Sequence, residues 1–288
     1  MPVLWTICGV ESKTLSSPSL RWDIFCHVID NHGDIGVCWR LCVDLAKRGN
    51  TVRLWIDDAS ALTWMAPQGY SGVSVYEWPD DEFLYNLNQD KTFQVGDIVV
   101  EAFGCEIPKA FQELMFKGRP PVWINLEYLS AERYVELSHG LASPIMSGPA
   151  RGAIKWFFFP GFTPNTGGLL REQDLLGIPT TVGNATNSIN ANQTRKSKFD
   201  RTQWLSTLPL DKQITANEKL ISLFCYEPVA LPALLTQLIQ AKEHTRILVT
   251  QGRPSSAIEK ALKDLQVPQN GTGHLHISQL PYLSQTDF

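Results

Sequence analysis

The sequence lacks long hydrophobic runs and a strong charge excess. No apolar stretch approaches the ~20 residues that a membrane-spanning helix needs. The 288 residues carry a formal net charge of −4, which gives no reason to expect nucleic acid or a membrane surface as a partner. An apolar patch at Val3–Val10 has no basic segment before it and no small-residue cleavage pattern after it, so we do not interpret it as a signal peptide. We expect residues 1–20 to be a disordered extension.

Several common catalytic and metal-binding motifs are also missing. The chain has no GxGxxG after its first predicted strand and no GxxxxGK[ST], which argues against a dinucleotide or P-loop site. It has no GxSxG elbow and no HExxH. None of its six cysteines forms a CxxC pair, and Cys38 and Cys42, one helical turn apart, have no second pair to complete a zinc site. We therefore expect buried, reduced thiols in a cytoplasmic protein and no bound metal.

The pattern that is present is an alternation of strands and helices. Residues 22–29 form a nearly continuous apolar run, typical of a strand buried on both faces. Residues 35–49 have helical periodicity and end at a glycine. Further strands are predicted at 51–57, 72–78, 97–103 and 122–128, and a short helix at 108–118. This alternation predicts an α/β domain with a parallel sheet.

The second half of the chain begins a new α/β pattern after an irregular region. Aromatic residues, prolines and glycines crowd residues 155–172, and Asn, Thr and Ser dominate the stretch before a short helix near 201–207. Strands are then predicted at 219–226, 246–252 and 275–280, with helices at 228–242 and 255–265. We predict a domain over 21–177, a linker over 178–218 and a partial domain over 219–288. The last domain looks incomplete because a parallel sheet needs helices on both faces.

The loop DNHGD at residues 30–34 is the first candidate for chemistry. Asp30 closes a strand, Gly33 lets the backbone turn, and Asp34 lies at a helix start. In a structural interpretation, Asp34 caps the helix from Ile35 and Asp30 fixes the turn. In a functional interpretation, both carboxylates face a cleft, where they bind a cationic acceptor and take a proton from it. The spacing alone leaves both interpretations open.

Two further loops follow strands of the second domain. Tyr226 ends an apolar strand, either as an ordinary core-edge tyrosine or as an aromatic hydroxyl at a ligand site. After the last strand, Tyr282 could stack on a base and Gln285 could pair with a base edge, although both also fit a plain surface loop.

Long stretches of the sequence resemble the protein-arginine rhamnosyltransferases that modify bacterial elongation factor P. The matching blocks are WDIFCHVIDNHGDIGVCWRL, VWINLEYLSAERYVELSHGLASP, KWFFFPGFTPNTGGLLRE, SLFCYEP and QLPYLSQTDF, in that order. The resemblance implies a GT-B fold, in which two Rossmann-like domains face each other across a cleft. It implies the donor dTDP-β-L-rhamnose, bound mainly by the C-terminal domain. It further implies an arginine of elongation factor P as acceptor, inversion at the anomeric carbon, and no metal.

The resemblance also assigns roles to individual residues. Asp34 matches the proposed general base, and Asp30 matches a second essential aspartate. The remaining matches are to donor-binding positions, namely Asn31, Gly33, Tyr226, Tyr282 and Gln285.

One departure from the family pattern concerns the C-terminus. The family has a later segment of Arg-Gly-Glu-Asp-Ser type that holds the donor diphosphate, and this sequence ends before it. We therefore expect a C-terminally truncated chain that is inactive by itself. Two alternatives stay open: a non-catalytic module that binds elongation factor P or a nucleotide, and a GT-B enzyme with another donor or acceptor.

Overall fold

The computed structural model describes residues 19–29, 32–172, 201–210, 213–215, 217–226 and 228–283. The predicted extension (1–20) and linker (178–218) lie largely outside this range. The strands are β1 (Arg21–Cys26), β2 (Thr51–Ile56), β3 (Val73–Glu77), β4 (Ile98–Ala102), β5 (Val122–Leu126), β6 (Ala142–Pro144), β7 (Ile154–Phe158), β8 (Lys219–Leu223), β9 (Thr245–Val249), β10 (Gly271–Thr272) and β11 (Leu275–Gln279). The helices are α1 (Gly33–Lys47), α2 (Leu62–Met65), α3 (Asp81–Gln89), α4 (Lys109–Met115), α5 (Tyr134–Ser138), α6 (Arg201–Thr207), α7 (Leu231–Ala241) and α8 (Arg253–Asp264).

The chain divides into two compact units. The first comprises Met1–Ser60 and Gly69–Leu170, and the second comprises Ala61–Gln68 and Arg171–Phe288. Each unit contains one mostly parallel sheet with helices, so the predicted fold class of two Rossmann-like α/β units is confirmed. The sequence boundaries proposed for the domains stay predictions.

The first unit is built on a seven-stranded sheet in the order β3-β2-β1-β4-β5-β7-β6. All neighbours are parallel except β6, which runs antiparallel to β7. Strand β1 lies between β2 and β4, with Ile24 opposite Leu54 on one side and Val100 on the other. From β3 to β5, this is the strand order of a Rossmann-type sheet, in which the chain changes direction between β1 and β4.

The central strands are buried because helices cover both faces of the sheet. Helix α1 packs on β1, β2 and β3. On the other face, Phe25 and Trp55 from the sheet pack with Phe111 of α4 and Leu84 of α3. The rings of Phe25 and Trp55 stack at 5.7 Å. Burying each such side chain contributes about 1.5–3 kcal/mol, which accounts for the apolar run in β1.

One buried carboxylate interrupts that run. Asp23 is fully buried and accepts hydrogen bonds from the Arg53 guanidinium at 2.6 and 2.7 Å, from the Trp55 indole at 2.9 Å, and from the Gly96 N–H at 2.7 Å. A Cβ at Gly96 would lie 2.8 Å from the backbone oxygen of Arg21, so only glycine fits there. Each carboxylate oxygen accepts two of these hydrogen bonds, and we interpret the network as structural.

The second unit has a four-stranded sheet in the order β10-β11-β9-β8. Strands β8, β9 and β11 are parallel, and β10 pairs antiparallel with β11. Arg246 at the start of β9 is buried and forms a two-pronged ion pair with Glu218 at 2.7 and 3.1 Å. His276 of β11 also contacts Glu218, with its Nδ1 3.1 Å from the carboxylate Oε1. Among the described residues, no helix is long and apolar enough to cross a membrane.

The irregular region 155–172 contains a strand that the sequence analysis did not predict. Strand β7 pairs with β5 on one side and β6 on the other. Alternate residues Trp156 and Phe158 are 44% and 36% exposed. The half-exposed positions of this strand are apolar, and three consecutive phenylalanines precede a proline. The sequence therefore lacks the alternation of polar and apolar residues that usually predicts a half-exposed strand.

Candidate active site

The described part of the candidate loop at residues 30–34 is His32–Asp34, which follows the carboxyl end of β1. Helix α1 begins at Gly33, its cap position is His32, and Asp34 lies within the first helical turn. The interpretation of Asp34 as the cap of a helix starting at Ile35 is therefore wrong. Asp30 and Asn31 lie outside the described residues. Gly33 is the first residue of α1 and is exposed.

The Asp34 side chain is enclosed and hydrogen-bonded. It is 1% exposed. Its Oδ2 accepts a hydrogen bond from the Ile29 backbone N–H at 2.9 Å, and its Oδ1 accepts one from the Tyr128 hydroxyl at 2.9 Å. Asp34 is thus a buried hydrogen-bond acceptor rather than a solvated surface acid.

The neighbours of Asp34 come from the ends of two other strands. Phe103 directly follows β4, and Tyr128 lies two residues after β5. Their rings stack, with centroids 4.2 Å apart and planes 12° from parallel. Because β1, β4 and β5 are consecutive in the sheet, their carboxyl ends bring Asp34, Phe103 and Tyr128 to one edge. This edge includes the point where strand order reverses, which is where ligands bind in open α/β sheets.

The loop after β4 holds Phe103 in an unusual backbone conformation. Phe103 has φ +56° and Glu106 has φ +54°, a left-handed region that non-glycine residues seldom adopt. The Phe103 N–H donates to the Leu126 carbonyl at 2.6 Å, which ties this loop to the end of β5. Strained loops of this kind cluster at functional sites.

A second buried carboxylate supports the same loop. Glu101 is 2% exposed and accepts hydrogen bonds from the Glu106 N–H at 3.3 Å, from the Trp123 indole at 3.1 Å and from Lys155 at 3.1 Å. Burial is the largest cause that raises the pKa of the Cys105 thiol, and the negative charge of Glu101 raises it further. Cys105 is therefore protonated at neutral pH and is not a candidate nucleophile.

In the second unit, Tyr226 lies at the edge of a groove. The residue is 46% exposed, and the Arg253 guanidinium lies 5.3 Å from the centre of its ring. The groove has a volume of about 570 Å³ and also includes Ser256 and Lys260. Tyr226 follows β8 and Arg253 opens α8 after β9, so the groove begins at the carboxyl ends of two neighbouring strands. Two cations, a hydroxyl and an aromatic ring can bind an anionic ligand with a planar group.

Tyr282, predicted to stack on a base, has an aromatic neighbour in this structure. It is 55% exposed, and its ring centroid lies 4.7 Å from that of Trp64. Trp64 belongs to the segment Ala61–Gln68, which groups with the second unit. Gln285 lies outside the described residues. Within the described ranges, no group of three His, Cys, Asp or Glu side chains is placed to hold a metal ion.

Sequence reasoning missed Phe103 and Tyr128. Both stand at or just after the end of a predicted strand, in DIVVEAF and VWINLEY. The signal that could have found them is position, because side chains after neighbouring parallel strands share one sheet edge. Asp34 and Gly33 belong to the first unit, whereas Tyr226 and Tyr282 belong to the second.

Comparison with known proteins defines first the class and then the family. A curated relative from Pseudomonas putida, named "Protein-arginine rhamnosyltransferase", is 40% identical over 280 residues, covering 93% of this chain and 67% of the relative. A relative with the same name from Pseudomonas aeruginosa is 36% identical, and the match covers 93% of this chain and 68% of the relative. Another from Shewanella oneidensis is 34% identical, and the match covers 95% of this chain and 69% of the relative. These relatives are glycosyltransferases.

The family itself is shown by a match over most of the chain. Residues 22–288 match the model of the family described as "Elongation-Factor P (EF-P) rhamnosyltransferase EarP". The chain belongs to this family. A solved structure described as "Structural basis for EarP-mediated arginine glycosylation of translation elongation factor EF-P" is 27% identical, with a TM-score of 0.46, and the match covers 94% of this chain and 63% of that one.

Proposed function

We propose that the protein transfers L-rhamnose from dTDP-β-L-rhamnose to an arginine side chain of elongation factor P, with inversion at the anomeric carbon. The family match over residues 22–288 is the observation that carries this proposal. Because the chain spans about two thirds of its curated relatives, the activity is proposed for the full gene product. Since the acceptor is a translation factor, we also propose a cytoplasmic location.

The first unit offers a carboxylate suited to an arginine acceptor. A guanidinium has a pKa above ~12 and is a poor nucleophile until it loses a proton. Asp34 can act as the final acceptor of that proton, with Asp30 as a second carboxylate that attracts the guanidinium. The aromatic pair Phe103 and Tyr128 beside Asp34 adds a flat surface of the kind on which guanidinium groups stack.

The second unit offers groups suited to a nucleotide sugar. Arg253 and Lys260 in the groove beside Tyr226 can bind a diphosphate. Tyr282 and Gln285 are proposed as further donor-binding residues of this unit, as the family resemblance implies. Asn31 and Gly33 of the first unit are also proposed as donor-binding residues on the same ground. The departing dTDP group carries negative charge that must be stabilised. In this proposal, Arg253 and Lys260 stabilise that charge without a metal.

The proposal is tested by incubating the full gene product with dTDP-β-L-rhamnose and purified elongation factor P. Intact-mass measurement should show one added deoxyhexosyl group per acceptor, and peptide fragmentation should place it on an arginine. An acceptor with that arginine changed to lysine should stay unmodified, and nuclear magnetic resonance should show the α-linkage expected from inversion. An unmodified acceptor, or modification with another nucleotide sugar at an equal rate, would contradict the proposal.

The same experiment addresses the non-catalytic alternative. Calorimetric titration of the 288-residue chain with elongation factor P and with dTDP-rhamnose separates binding from transfer. If the full gene product binds the acceptor but never transfers sugar, a binding module explains the chain better than an enzyme.

A further inference from the structure

The burial of Asp34 sets a problem for direct proton transfer. Asp34 is 1% exposed, and both carboxylate oxygens already accept hydrogen bonds from Ile29 and Tyr128. Because so little of Asp34 is exposed, an acceptor guanidinium in solvent does not reach this carboxylate in the observed arrangement. Tyr128, by contrast, is 48% exposed. A side chain that bonds the buried carboxylate is therefore itself open to an incoming substrate.

We infer that Tyr128 is a catalytic residue that relays the proton from the acceptor guanidinium to Asp34. The inference rests on the proposed function of the chain as an arginine glycosyltransferase. The Tyr128 hydroxyl already donates its hydrogen to Asp34 Oδ1 at 2.9 Å. A phenolic oxygen that donates its hydrogen can also accept a hydrogen bond, here from a guanidinium N–H. One half-exposed side chain thus connects the surface to the buried carboxylate.

The relay balances protons and electrons in one step. The guanidinium N–H proton moves to the Tyr128 oxygen as the Tyr128 proton moves to Asp34 Oδ1. The nitrogen electron pair forms the bond to the anomeric carbon. The bond from that carbon to the donor's phosphate oxygen breaks, and its electron pair leaves with dTDP. Asp34 then passes its proton back to the Tyr128 oxygen as Tyr128 releases a proton to solvent, which restores the original protonation state of both groups.

The transfer must accompany formation of the carbon–nitrogen bond. The pKa of a free guanidinium is far above that of a carboxyl group, so an isolated proton transfer between them is strongly unfavourable. Bond formation to the sugar makes the nitrogen far more acidic. Pre-aligned groups are then needed, because the proton must move within the lifetime of the transition state.

The structure holds Tyr128 firmly enough for this role. Its ring stacks on Phe103 at 4.2 Å, and Phe103 is fixed by the hydrogen bond of its N–H to Leu126. The preceding residue, Glu127, donates its N–H to the Phe158 carbonyl at 2.9 Å, which anchors the chain at the end of β5. The hydroxyl is therefore aimed at Asp34 by backbone and ring contacts from three strands.

The test variant is Tyr128→Phe in the full gene product, which keeps the ring and removes the hydroxyl. The matched control is Tyr134→Phe, because Tyr134 is 50% exposed in the same unit and its ring contacts Phe159. Under single-turnover conditions, we expect Tyr128→Phe to slow transfer about 100-fold or more, the scale of general acid–base catalysis. The KM for elongation factor P should change by less than about threefold. Tyr134→Phe should transfer at the wild-type rate.

A proton inventory on the wild-type protein provides a second measurement that needs no variant. The single-turnover rate is measured as the fraction of deuterium in the solvent is varied. If two protons move in the transition state, the rate depends on that fraction along a curve, whereas the dependence is linear if only one proton moves. A linear inventory would overturn the relay, as would a Tyr128→Phe protein that transfers within about threefold of the wild-type rate. Wild-type protein that modifies no acceptor would refute the proposed function instead, and the relay with it.

Discussion

Asp34→Asn separates the chemical role of Asp34 from its structural role. Asparagine keeps the side-chain size, its carbonyl oxygen can accept from the Ile29 N–H, and its amide can donate to the Tyr128 oxygen once that hydroxyl rotates. The two described hydrogen bonds of this side chain then keep a partner, so we expect the free energy of unfolding to change by less than about 1 kcal/mol. The amide cannot accept the proton. Sugar transfer should therefore fall by a factor of about 10²–10⁴, which corresponds to about 3–5 kcal/mol in the barrier.

Asp34→Ala is the contrasting variant, because it removes both hydrogen-bond acceptors. Leaving the Ile29 N–H unpaired should cost about 1–3 kcal/mol of stability. Urea unfolding measures the stability of both variants, single-turnover mass spectrometry measures transfer, and calorimetry measures donor binding, which we expect to be unchanged. A transfer rate for Asp34→Asn within about tenfold of the wild type would refute the proposed base. An Asp34→Asn protein as unstable as Asp34→Ala would refute the account of the two hydrogen bonds.

Three predictions concern stability and thiol chemistry. Hydrogen bonding to a buried arginine lowers the pKa of Glu218, so its contribution should be full above the unfolded-state pKa of about 4.5 and lost as pH falls through the lower folded-state pKa. Glu218→Gln should flatten the pH dependence of unfolding there, unlike Glu243→Gln, which removes a solvent-exposed ion pair. Gly96→Ala should destabilise by about 1–3 kcal/mol through its backbone clash, whereas Gly118→Ala, with open space around it, should not. Burial raises the pKa of the Cys42 thiol, so a maleimide should label it only after unfolding, as peptide mass mapping would show.

The strand and helix pattern is predictable because burial leaves a clear periodic signal. The apolar run at 22–29 predicts β1, which extends over Arg21–Cys26, and the periodicity at 255–265 predicts α8, which extends over Arg253–Asp264. Strand β7 escapes prediction because one of its faces is half exposed. Helix α3 escapes it because its sequence, DEFLYNLNQ, buries only Leu84 and therefore lacks a wide apolar stripe.

The site is harder to predict because its members come from distant parts of the sequence. The loop of Asp34 is identifiable because a strand, a glycine and a helix start occur within a short stretch, with β1 ending at Cys26 and α1 beginning at Gly33. The hydrogen bond from Tyr128 joins residues 94 positions apart, and no local pattern marks such a pair. The predictions for Asp30, Asn31 and Gln285 concern positions outside the described residues and stay predictions.

To predict which residues share the site with Asp34, one needs the order of the strands in the sheet. That order has a physical basis that can be applied to a sequence. Right-handed crossovers and short connections leave few arrangements for an alternating α/β chain. The Rossmann order places β4 beside β1 and β5 beside β4, so the residues following these strands must share one edge. With that order assumed, the ends of DIVVEAF and VWINLEY become candidates for the neighbours of Asp34 on the sequence alone. The chemistry of this edge therefore follows from topology together with residue type, because residue type by itself cannot pair a buried aspartate with an exposed tyrosine.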